Sequence, residues 1–194
     1  LDENKLGEGK SHCDVRSVSV NKSHLLLSYA VDYTGDEVYE MVVVDIASGV
    51  TLPDSVKKIA GKVAWGDDTT LFYLTQDAQL RPYRMWRHKL GTDSTTDVQL
   101  FEESDEMFWL GMGKSSSGRF MFAASGSSET SECHFIDLKA EGACDAQLTV
   151  IQPRTFGLRY DIEHDGATGF LVWTNKDGKI FILFFRRAYI VYNI

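Results

Sequence analysis

The sequence predicts an all-β fold assembled from repeated sheets of four antiparallel strands. Three observations carry this expectation: strand signals dominate, no stretch holds a 3.6-residue apolar period, and one strand–turn–strand phrase returns four times. The clearest strands are read at residues 25–31, 38–46, 71–75, 83–90, 119–124 and 169–174, each short and rich in β-branched or aromatic side chains. Reversal chemistry separates them, in Thr34-Gly35-Asp36, Ser48-Gly49, Gly66-Asp67-Asp68, Ser117-Gly118, Asp165-Gly166 and Lys176-Asp177-Gly178.

The repeated phrase begins at Val18, Val63, Trp109 and Tyr160, with spacings of 45, 46 and 51 residues. Four strands fit each interval, and a super-period near 45 is that of a β-propeller blade. A β-sandwich also reverses every 8 to 12 residues or so but has no need of the longer period. The expectation is therefore one partial propeller domain over residues 1–194, with about three blades and part of a fourth.

Composition narrows the function classes. The 194 residues are 43% hydrophobic and 25% charged, ordinary for a globular chain, and the formal net charge of −8 repels polyanions. Nucleic acid is not expected as a partner. Arg81 to Lys89 interleaves cations with Tyr83 and Trp86, but alternation places Tyr83, Met85 and Arg87 on one face and Arg84, Trp86 and His88 on the other, as in a strand packed between blades. Cys13, Cys133 and Cys144 form no CxxC or metal-ligand spacing and read as free thiols of a reducing cytoplasm. The opening Leu1-Asp2-Glu3-Asn4 has neither initiator Met nor an apolar signal region, as if the chain began within a longer gene. The apolar run from Ile180 to Ile194 is broken by Arg186-Arg187 and is shorter than the roughly 20 residues of a membrane span, so no membrane association is expected.

Several phrases are more specific than the blade pattern. Leu1-Asp2-Glu3-Asn4, His12-Cys13-Asp14-Val15-Arg16, Tyr33-Thr34-Gly35-Asp36-Glu37-Val38-Tyr39 and Arg81-Pro82-Tyr83-Arg84-Met85-Trp86-Arg87-His88-Lys89-Leu90-Gly91-Thr92 resemble the oligopeptidase B branch of the prolyl oligopeptidase family. Ser125 to Glu132, Gln152-Pro153-Arg154 and Thr174 to Gly178 extend the likeness, after which residues 179–194 depart from it. The resemblance implies cytosolic serine peptidases in which a seven-bladed propeller caps an α/β-hydrolase domain and admits short peptides, cleaved after Arg or Lys. It implies that this chain matches the middle blades of the cap, with the catalytic domain outside it as its partner and short basic peptides as ligands.

No catalytic residue is expected within the chain, because Gly-x-Ser-x-Gly is missing and the serine-rich stretches at 113–118 and 126–128 read as blade turns. Asp161-Ile162-Glu163-His164-Asp165-Gly166 imitates the start of a calcium loop, but its twelfth position is Val172. His12, His24, His88, His134 and His164 show no metal-ligand spacing and read as turn or strand-face residues, so neither metal nor cofactor is expected. Glu37 is the one candidate for a substrate or interdomain contact, an acid in a family-like hairpin phrase suited to cationic peptides; a solvated turn acid beside Asp36 is the competing reading. A catalytically empty propeller remnant serving as a protein-interaction module stands as the alternative function.

Overall fold

Meander pairing organises the described residues, 1–166, 169–178 and 181–185 of a computed structural model, into four antiparallel sheets. The chain divides into two units, Leu1–Glu102 and Glu103–Ile194. The first opens with a single helical turn, α1 (Glu3–Leu6), whose N-terminus is closed by Asp2 accepting from the Asn4 and Lys5 amides. Its first sheet runs β1 (Asp14–Val20), β2 (Leu26–Asp32), β3 (Tyr39–Asp45), β4 (Thr51–Ile59). Its second runs β5 (Val63–Trp65), β6 (Thr70–Gln76), β7 (Pro82–Lys89), β8 (Val98–Glu102). The second unit holds β9 (Trp109–Lys114), β10 (Phe120–Gly126), β11 (Ser131–Asp137), β12 (Thr149–Gln152), then β13 (Tyr160–His164), β14 (Phe170–Thr174) and β15 (Phe181–Phe185). The all-β, four-stranded plan read from the sequence is the plan observed, with three strands of the fourth sheet among the described residues. Most of residues 179–194, where the departure from the family is expected, lie outside them.

Period-2 alternation explains which residues form each core. On β3, Tyr39, Met41 and Val43 share a face, and with Val56 and Ile59 of β4 they pack against Val63, Trp65, Leu71 and Tyr73 of the second sheet. In the second unit Phe120, Phe122, Cys133 and Ile151 of the third sheet meet Tyr160, Phe170 and Val172 of the fourth. Phe120 is the hub there, with ring centroids 4.7 Å from Phe170, 4.8 Å from His164 and 5.7 Å from Phe135.

Two loop residues shape the first unit, one inside its first sheet and one at the crossing to its second. Asn21 is buried, and its amide oxygen accepts from the Leu25 and Leu26 amides, both at 3.0 Å, closing the turn between β1 and β2. Gly61, between β4 and β5, has φ +71°, and a Cβ there would stand 3.0 Å from the Tyr39 ring. Only glycine meets both the backbone and the space at this crossing.

Phe120→Ala removes the hub ring from the interface between the third and fourth sheets. The expected loss is about 3–5 kcal/mol, read as a lowered midpoint in urea denaturation of the full chain. A loss under about 1 kcal/mol would mean that the neighbouring rings refill the space and that Phe120 is no hub.

Candidate functional site: an anchored turn and an ion-paired loop

The turn at residues 33–38 joins β2 to β3, and the buried Asp32 at the end of β2 builds it. Asp32 Oδ1 accepts from the Thr34 amide at 2.7 Å, the Thr34 hydroxyl at 2.8 Å and the Gly35 amide at 3.0 Å. Its Oδ2 accepts from the Gly35 amide at 3.1 Å and the Glu37 amide at 3.0 Å. Burial pushes the Asp32 carboxyl up, but the hydrogen bonds from Thr34, Gly35 and Glu37 outweigh it and hold the pKa below the usual carboxylate value. Asp36 turns back into the loop and accepts from the Val38 amide at 3.2 Å.

Glu37 does the opposite. Its backbone is fixed twice, by its amide to Asp32 and by Gln76 Nε2 donating to its carbonyl at 2.8 Å, in the left-handed region at φ +60°. Its side chain is exposed and makes no hydrogen bond or ion pair with a described residue. The geometry therefore separates two neighbouring acids: Asp36 serves the turn, whereas Glu37 presents a carboxylate to solvent from a fixed backbone.

In the second unit, the first residue after β8 is the buried acid Glu103. Its carboxylate receives the Ser125 hydroxyl, Arg154 Nη2 and, at 2.9 Å, the Asp105 amide. Burial raises the Glu103 pKa, but hydrogen bonds from Arg154, Ser125 and Asp105 outweigh it and hold the group ionised below its ordinary range. The Arg154 guanidinium also lies 3.7 Å from the Phe108 ring centroid, and its amide donates to Glu132 at 2.8 Å. One ion pair thus binds loop 103–108 to loop 153–159. The same loops hold Met107, 73% exposed, and Phe156, 87% exposed.

A groove of about 580 Å³ opens between the third and fourth sheets beside this pair, lined among others by Trp109, Ser125, Glu132, Arg159, Tyr160 and Asn175. Burial pushes the Cys133 thiol far up, away from the reactive thiolate, and Tyr160 spends its hydroxyl accepting from the Cys133 amide at 2.7 Å and donating to the Gln152 carbonyl at 2.8 Å.

Other residues singled out in the sequence fall into structural roles. Asp161 to His164 lie in β13, and Ser127 to Thr130 form the hairpin between β10 and β11. Ser117 brings its hydroxyl to 2.7 Å from His164 Nδ1, while its amide donates to the His164 carbonyl at 2.9 Å, so this Ser–His pair ties the turn after β9 to β13. Arg81 pairs with Asp77 at 2.8 Å and Arg84 with Glu102 at 2.9 Å, so two cations of the basic stretch are spent on carboxylates. Among the described residues no cluster of three or more His, Cys, Asp or Glu could hold a metal ion, and no helix is long and apolar enough to cross a membrane.

Arg154→Ala leaves the Glu103 carboxylate buried without its cation. The expected cost is about 2–4 kcal/mol, below the roughly 3–5 of a fully buried pair because Arg154 is 29% exposed. Because the folded Glu103 pKa is depressed, wild type has this contribution above the ordinary value of 4.5 and loses it as pH falls through the folded pKa. Thermal melts between pH 3 and 7 are expected to show a steeper acid limb in wild type than in Glu103→Gln. Glu37→Gly, by contrast, is expected to gain up to about 1 kcal/mol by relieving the left-handed backbone.

Known proteins place this geometry. The family model for the prolyl oligopeptidase N-terminal β-propeller domain matches residues 1–185. Protease 2 of Moraxella lacunata is 35% identical over 188 residues, which is 94% of this chain and 26% of that protein. Oligopeptidase B from Leishmania major superposes with a TM-score of 0.87 at 35% identity, covering 95% of this chain and 26% of that one. Oligopeptidase B from Trypanosoma brucei, in a closed form with covalently bound antipain, gives 0.81 at 39% identity with the same coverage. The chain thus spans about a quarter of the length of these relatives. With four propeller-like sheets in hand and a match along nearly its whole length, this chain belongs to the prolyl oligopeptidase family, as part of its N-terminal β-propeller domain.

Proposed function

We propose that this chain is part of the gating, substrate-filtering propeller of an oligopeptidase B-like serine peptidase that cleaves short peptides after Arg or Lys in the cytoplasm. The observation that carries the reading is the 35–39% identity to oligopeptidase B over 95% of the chain, well above what a shared fold alone requires. In this reading the serine, aspartate and histidine belong to an α/β-hydrolase domain, and the propeller supplies a rigid, charged entrance. Three free cysteines suit a reducing compartment.

Electrostatics supports cationic substrates. A net charge of −8 favours the approach of basic peptides, and Glu37 offers a carboxylate whose backbone Asp32 and Gln76 fix, for an arginyl or lysyl side chain or for a cation of the peptidase domain. The exposed Met107 and Phe156 favour a second reading, a stand-alone interaction module, in which they would contact another protein.

Glu37→Lys in the peptidase that contains this propeller tests the first reading. The expected result is a threefold to tenfold rise (about 1 kcal/mol) in KM for Arg- and Lys-containing peptides, shrinking as salt shortens the Debye length below about 8 Å. An unchanged KM and salt dependence would make Glu37 a solvated turn acid and leave the gating role standing. A wild-type enzyme that does not cleave after Arg or Lys would sink the whole reading.

A further inference from the structure

His88 occupies a strand face of β7, fully buried, with carboxylates at both ring nitrogens. Nδ1 lies 2.8 Å from Asp97 Oδ1, and Nε2 lies 3.4 Å from Asp54 Oδ1. The acids are buried too, their side chains 2% and 6% exposed. Asp97 follows the short 3-10 turn Ser94–Thr96 and accepts the Tyr73 hydroxyl from β6 on its other oxygen at 2.8 Å. Asp54 sits on β4, the outer strand of the first sheet, and accepts the Gly91 amide. The cluster thus spans the joint between the first and second sheets.

We propose that His88 is held as the doubly protonated imidazolium, donating to Asp97 and Asp54 at once, and that this Asp–His–Asp clasp is a pH-sensitive lock between β4 and the second sheet. A neutral imidazole has one N–H and one bare lone pair, so either tautomer would aim a lone pair at a buried carboxylate, acceptor against acceptor. Only the cation turns an N–H of the ring toward each acid, and it offsets one of two buried negative charges.

The charged and titratable groups that face the ring from the packed elements are Asp54 from β4 and Asp97 from the connection before β8, with Tyr73 of β6 behind Asp97. Burial lowers the His88 pKa, but the hydrogen bonds and charges of Asp97 and Asp54 outweigh it, and the net direction is upward from 6.5. The clasp is fully present below the unfolded pKa, and the folded-to-unfolded ratio falls by up to about tenfold per pH unit as pH rises from there through the folded pKa. The lock opens on the alkaline side.

Imidazole 1H–15N spectra of the full chain between pH 5 and 9.5 test this directly. The expected result is that His88 carries protons on both nitrogens at pH 6.5 and titrates above that value, and that Asp54→Asn moves this titration downward. A wild-type His88 that titrates at or below 6.5 would overturn the proposal without need of any variant. His88→Gln supplies the second readout: its thermal midpoint is expected to lose the alkaline fall of wild type, and an identical alkaline profile in both would also overturn it.

Discussion

Everything else in this chain depends on sheets being stacked face to face. The residues of β2 alternate sides, yet Ser28, Tyr29, Ala30, Val31 and Asp32 are all buried, so both faces of this strand are covered. A four-stranded sheet alone cannot do that, because it buries neither face. The apolar surface of β3 and β4 is therefore satisfied only by Val63, Trp65, Leu71 and Tyr73 of the next sheet, and that of Phe120 and Phe122 by Tyr160, Phe170 and Val172. At roughly 25 cal/mol per Å² these large side chains supply most of the driving force, which leaves the sheet ends free to carry polar chemistry.

At those ends and joints, three buried acids or pairs of acids are stabilised in three different ways. Asp32 is surrounded by amides of its own turn, so its cost is met locally and its partners are fixed as soon as the hairpin forms. Glu103 takes a guanidinium from a loop 51 residues away, so its charge is met only when the third sheet is complete. Asp54 and Asp97 share one imidazole. Removing a partner hurts more than the pair helps, since an unpaired buried charge costs several kcal/mol while a well-made pair roughly breaks even with apolar packing. Such groups therefore act less as a source of stability than as a requirement that each joint close in one arrangement.

This contrast also explains what could be read in the sequence. All six strands read from it fall within two residues of observed ones; each is a central strand of its sheet, and β2, β6 and β10 among them are buried along most of their length and print as apolar runs. The outer strands were harder. β4 contains Pro53 and the polar Lys57-Lys58, which an edge strand tolerates and a central one does not, and β12 has only four residues. The Thr34-Gly35-Asp36 turn was legible from composition, whereas Asp32 as its anchor was not singled out, although an acid two residues before Thr-Gly is the local signal for it. His88 and the Glu103–Arg154 pair left no such trace, since their partners come from distant segments that only the stacking brings together.

The cost of the Glu37 conformation bears on its place in the proposed function. A non-glycine residue in the left-handed region carries about 1–2 kcal/mol of strain, and here the amide bond to Asp32 and the Gln76 bond to the carbonyl hold it there. Nothing in the packing of the sheets requires a carboxylate at that point, since the side chain touches no charged partner among the described residues. A glycine would meet the backbone demand at lower cost. The residue is thus one that folding alone would not select, and its reach sets what it can do: beyond about 8 Å at physiological salt its field is screened. Under the proposed function, long-range attraction of basic peptides would belong to the net charge of the whole chain, while Glu37 would act only on a cation brought next to it, orienting it rather than recruiting it from a distance.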